Sequence, residues 1–119
     1  MAALTAASWT VVVTNRKLNA NSRERVTEGT LALAGTDTYP TGGVPLPDKG
    51  KFGMVRELAN LDLFGQAAAT TQYLTKYDKT NYKMQFYEEE AAAAGGPLLE
   101  ADTAEVPGAR TYFFVATGW

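Results

Sequence analysis

The side chains able to do chemistry in this sequence are carboxylates, lysines, tyrosines and hydroxyls, because it contains neither histidine nor cysteine. That inventory removes the commonest zinc ligand sets, the Cys and His nucleophile systems and the usual imidazole general base. The densest acidic cluster is Glu88-Glu89-Glu90. Paired carboxylates can act as general acid and base or hold a divalent cation. Adjacent residues on an extended chain point to opposite faces, so these acids need a second segment in order to converge. Glu100 and Asp102 are spaced to share a face, but they lie in an acidic, turn-rich stretch read as a loop. Glycoside hydrolysis needs two acids about 5–10 Å apart across a cleft, and no spacing here predicts that pair. Gly42-Gly43 is followed by neither a Walker pattern nor GxGxxG, so its expected role is positive φ in a turn rather than phosphate binding. The sequence therefore predicts no catalytic residues, no cofactor and no metal site.

What must position any binding surface is one domain. A chain of 119 residues with 45% hydrophobic content is long enough for a single core. Eleven basic residues against thirteen acidic ones give a net charge of −2, and the basic ones are scattered along the chain. A nucleic-acid partner is not expected from that distribution, since phosphate tracking needs a basic patch. No apolar run approaches the roughly 20 residues that cross a bilayer, so no membrane partner is expected either. Met1 to Ala7 has neither a basic n-region nor a long apolar h-region, and is read as an arm rather than a secretory signal. The expected organisation is an N-terminal arm over residues 1–8 and a single β domain over 9–119. Without cysteine there is no disulfide, and the inventory suits cytosol and virion equally.

Trp9 to Thr14 reads as a strand, because its valines lose rotamers in a helix and pack well on a pleated surface. Asn15 to Ser22 is polar and turn-forming. Arg23 to Leu33 resumes extended character, with Gly29, Leu31 and Leu33 on the core face. Three prolines and four glycines between Gly35 and Gly50 argue for a long ordered loop. Met54 to Phe64 carries both periods, and strand is preferred. Gln72 to Tyr77 and Tyr82 to Tyr87 flank Asp78-Lys79-Thr80-Asn81 and predict a β-hairpin in which Tyr77 and Tyr82 can pair. Glu88 to Pro97 is read as a loop with at most one helical turn. Arg110 to Thr117 is apolar on both faces, which predicts a central strand or one buried against a neighbouring subunit. Several short strands with long polar loops give an all-β fold, an antiparallel sandwich or barrel.

The tyrosines Tyr73, Tyr77, Tyr82 and Tyr87 with Phe86 have two readings: a sheet core with hydroxyls reaching solvent, or a sugar- or protein-binding platform. Trp119 is expected either to pack in its own domain or to meet a subunit.

The stretch Leu31-Ala32-Leu33-Ala34-Gly35-Thr36-Asp37-Thr38-Tyr39-Pro40-Thr41-Gly42-Gly43-Val44-Pro45-Leu46-Pro47 resembles small virion proteins of tailed bacteriophages. The tyrosine-rich hairpin and the ending Phe113-Phe114-Val115-Ala116-Thr117-Gly118-Trp119 add to the likeness, whereas Phe52 to Gln66 offers nothing to compare. Within that group the chain looks like a head decoration (cement) protein. The resemblance implies a non-catalytic β module on the outer surface of a phage capsid, stabilising it, with the major capsid protein as partner. It also implies a homo-oligomer, commonly a trimer, assembled in the host cytoplasm. The residues expected to contact capsid or sister subunits are Leu4, Trp9, Tyr39, Pro40, Gly42, Gly43, Val44, Pro45, Leu46 and Trp119. A tail- or fibre-associated module and a carbohydrate-binding module are the alternatives.

Overall fold

Strands occupy Trp9–Leu18 (β1), Arg25–Leu33 (β2), Val44–Pro45 (β3), Leu58–Ala67 (β4), Leu74–Asp78 (β5), Lys83–Glu89 (β6), Leu98–Glu100 (β7) and Arg110–Gly118 (β8). Short 3-10 turns lie at Ala6–Ser8 and Lys49–Phe52. This computed structural model describes residues 2–18, 23–35, 37–67, 73–89, 98–101 and 105–119. One sheet has the order β1-β2-β8-β4; the other has β3-β6-β5, with β7 also paired to β6. All strand pairs are antiparallel. The chain is an all-β, sandwich-like fold.

The two sheets close on a core with Phe86 at its centre. Its ring stacks on Tyr39 at 5.8 Å and on Tyr73 at 5.4 Å, and meets Trp9 and Tyr112 of the opposite sheet at 6.3 Å. Phe52 packs edge-on to Phe114 at 5.4 Å. Strand alternation supplies these residues: Thr27, Gly29, Leu31 and Leu33 of β2 face in, as do Tyr112, Phe114 and Ala116 of β8. The predicted core phase of β2, with Gly29, Leu31 and Leu33 inward, is the observed one. β8 is central, between β2 and β4, as expected, and of its two apolar faces the one carrying Tyr112, Phe114 and Ala116 is buried while Phe113 is exposed.

The hairpin forms as its pattern predicts, with Tyr77 opposite Met84 and the Tyr77 and Tyr82 rings edge-to-face at 6.4 Å. Its Gln72 lies outside the described residues. Asp78 closes the turn by accepting from the Asn81 backbone and side chain at 3.3 and 2.9 Å. The preference for strand over Met54–Phe64 is met by β4 from Leu58 onward.

Three expectations need correcting. Glu100, read in a loop, ends β7 and pairs with Tyr87. β1 continues to Leu18 through residues read as a turn, because Asn15, Arg16, Lys17 and Leu18 find backbone partners on β2 after a bulge between Val13 and Asn15. Glu88 and Glu89 belong to β6, paired with Leu99 and Leu98, rather than to a loop. The rest of that reading, Glu90 to Pro97, lies outside the described residues.

The Gly/Pro-rich segment is mostly loop, as expected, but Val44–Pro45 adds a short strand to the edge of β6. Proline is tolerated there because an edge strand leaves one side of its backbone unpaired. Gly42 and Gly43 adopt φ of 86° and 122°, the conformation expected of that turn.

Candidate binding surfaces

The structure divides the ten expected contact residues. Leu4, Trp9, Tyr39, Gly43, Val44 and Leu46 are buried within the domain, so their side chains are not available to a partner. The physical reason is local. Tyr39 is bound to one sheet through its hydroxyl, accepting a hydrogen bond from the Phe86 N–H (3.3 Å) of β6 and donating one to Glu100 Oε2 (3.0 Å) of β7. Burial pushes its phenol well above the ordinary range, so it stays protonated. Trp9 donates its indole N–H to the Pro45 carbonyl at 2.9 Å, tying the start of β1 to the Gly/Pro loop. Pro40, Gly42 and Pro45 are half-buried, and Trp119 is 38% exposed.

The first residues behave as part of the domain rather than as a free arm. Leu4 donates to the Thr38 carbonyl at 2.9 Å, Thr38 donates to the Ala2 carbonyl at 3.0 Å, and the Leu4 side chain is buried. Met1 lies outside the described residues.

The acidic cluster does receive help from a second segment. The Glu88 carboxyl shares a hydrogen bond with Glu105, and Tyr73 donates its hydroxyl to Glu105 Oε2. Arg110 lies over the Tyr73 ring at 4.6 Å. Burial, then the bond to Glu105 and its charge, push the Glu88 carboxyl up to about 7. Glu100 is engaged by Tyr39, and Asp102 lies outside the described residues. Among the described residues no group of three or more acidic side chains is placed to hold a metal. Four surface pockets of about 190 to 310 Å³ are lined by other residues. The acid pair has hydrogen-bond partners within the fold and no cavity among these four. No match to any protein-family model, curated protein or solved structure is found.

Two surfaces that sequence reading did not single out stand apart. The first is the outer face of the β1-β2-β8-β4 sheet. Register places Val12, Thr30, Phe113 and Phe64 in one row across all its strands. Phe113 and Phe64 are 55% and 52% exposed, with ring centroids 6.0 Å apart and planes tilted by 30°. Gly65, at φ 65°, makes room: a Cβ there would lie 2.9 Å from the Phe113 ring. Val115 and Glu28 continue the same face and line a shallow pocket of about 280 Å³ with the two rings. The alternation in β8 carried the signal for Phe113, whereas nothing local in Phe64 announced that it would stand beside it.

The second surface is the end of the sandwich where β1 finishes and β2 begins. Basic residues scattered in sequence are gathered there, since Arg16, Lys17, Arg23, Arg25 and Arg56 line two adjoining pockets. The premise of scattered charge therefore fails in three dimensions.

Proposed function

We infer that this chain is a non-catalytic structural module that binds another protein surface during assembly, in the manner of a phage capsid decoration protein. The observation that carries the reading is the uncovered Val12–Phe113–Phe64 row. An antiparallel sandwich ordinarily turns polar side chains outward, and large exposed aromatics grouped on one face mark an interaction surface. The domain behind the row gives it firm support, because β8 is paired on both sides and a ring cluster locks the two sheets together. The likeness of the Tyr39 to Pro47 loop to virion proteins supplies the partner, a capsid shell or a sister subunit on it. Of the loop, Pro40, Gly42 and Pro45 have surface to offer, with Trp119 at the other end.

Mass analysis of heads purified from the phage that carries it, with native mass of the isolated protein, tests the reading. Stoichiometric protein on heads, lost when Phe64 and Phe113 are both replaced by serine, is the expected result. A protein absent from heads defeats it.

The same two rings favour one second reading. Exposed aromatics tilted by 30° beside Thr14 and Glu28 resemble a platform for a sugar ring, which stacks on aromatic faces and bonds through its hydroxyls. Saturable binding of an oligosaccharide without head association would select it.

A further inference from the structure

We propose that the strand-end pockets form a binding site for an acidic, partly apolar peptide segment of a partner protein. Five of the chain's eleven basic residues line these two pockets, and no aspartate or glutamate side chain does. With thirteen acidic residues in the chain, an uncommitted surface would mix the signs. The pockets, of about 190 and 200 Å³, adjoin at Arg25, which lines both.

The groove is built rather than incidental. Arg25 donates from Nη1 to the Gly53 carbonyl at 3.1 Å, which fixes the shared side chain. The Trp119 carbonyl accepts the backbone N–H groups of Val55, Arg56 and Glu57 at 3.0, 2.6 and 3.1 Å, clamping Arg56 beside Trp119. Arg23 sits at φ 58°, a left-handed conformation uncommon for a residue with a side chain. Glu57, next to Arg56 in sequence, is occupied by Lys79 at 2.5 Å. Among the described residues Arg16, Lys17, Arg23 and Arg56 make no ion pair and no side-chain hydrogen bond. Unneutralised guanidinium groups are forks suited to carboxylates.

The apolar side of the ligand follows from Trp119 and Val55, which are 38% and 65% exposed in the same pocket. A leucine or an aromatic residue between acids would cover them. A nucleic-acid strand fits less well, because a phosphate chain continues past two pockets. The groove lies at the strand ends, away from the Phe64–Phe113 face, and stands or falls independently of that surface.

The test uses the full chain and a fluorescently labelled short peptide of glutamates flanking one leucine, with binding followed by anisotropy. Saturable binding is expected, weakening several-fold as salt rises from about 0.05 to 0.15 M. Arg23→Glu with Arg56→Glu is expected to weaken it by about tenfold or more, while Lys76→Glu, a single charge reversal on β5, leaves it within about twofold. Circular dichroism checks the fold; if the double reversal does not fold, Arg23→Gln and Arg56→Gln are read singly, each expected to weaken binding by about threefold. No saturable peptide binding, an equal loss in the Lys76 variant, or tighter binding of a thymidine oligonucleotide of equal charge overturns the proposal.

Discussion

Replacing Tyr39 by phenylalanine removes one oxygen from the centre of the molecule and should be among its costliest conservative changes. The Phe86 carbonyl accepts from Ala101 at 2.8 Å, so the Phe86 N–H points to the same flank of β6, beyond the end of β3. There the Tyr39 hydroxyl occupies the place of a strand partner. The ring is fully buried, so water does not replace the lost acceptor. An orphaned buried donor costs about 1–3 kcal/mol, and the Glu100 carboxylate also loses a partner while keeping access to solvent. We therefore expect a loss of about 2 kcal/mol in urea unfolding and a melting temperature lower by roughly 6–10 °C. Faster hydrogen exchange at the Phe86 amide should accompany it. Tyr77→Phe is the control, since its half-buried hydroxyl donates to the Leu58 carbonyl at 2.7 Å and its loss should cost no more than about 1 kcal/mol. A Tyr39→Phe protein within about 0.5 kcal/mol of the parent, or less affected than Tyr77→Phe, would refute the reasoning.

Leu4→Ala should lower stability by about 2–5 kcal/mol, because the first segment packs in the core; unfolding midpoints no different from the parent would show that it does not. Phe113→Ser removes a ring whose exposed half, of a side chain that buries roughly 200 Å² when covered, is the area a partner would cover, so head association should fall by at least about tenfold, measured by cosedimentation. Its fold should persist, at a cost of about 1–3 kcal/mol for the packing lost against Phe64. Glu88 has its carboxyl raised from 4.5 to about 7, so the folded state holds that proton more tightly than the unfolded chain. Its contribution to stability is complete below pH 4.5 and is lost as pH rises through about 7. Glu88→Gln should flatten the fall in melting temperature between about pH 5 and pH 8, and an unchanged slope would assign the proton elsewhere.

The strands were legible where side-chain alternation was strong and local. Leu31 and Leu33 and the hairpin around Asp78 to Asn81 announce their faces through a period of two, whereas Arg110 to Thr117, apolar on both faces, announces a strand but not which face is buried. Asn15 to Leu18 did not, since polar residues on an edge strand are held by backbone pairing that composition does not encode. Glu88 and Glu89 were misread for a related reason: β7 supplies their partners from a segment that looked like loop. The contact residues failed more broadly. Tyr39, Val44 and Leu46 belong to a loop that turns inward, and exposure there is decided by what packs beneath it. The basic groove draws on four separate stretches, so no window of sequence contains it.

The position of β8 governs when this protein can exist at all. It is made after β2 and β4, yet it lies between them and supplies the pairing for both. Until it emerges, β1 and β2 can form no more than an isolated hairpin, and β4 has no neighbour in its sheet. Loop closure over such separations is slow, so folding should be one late, cooperative event rather than a stepwise accretion. During synthesis the chain therefore passes through a period in which Leu31, Leu33, Leu58 and Leu61 are displayed without cover. In that interval it is a natural client for chaperones, and crowding or a stalled ribosome would turn it toward aggregation.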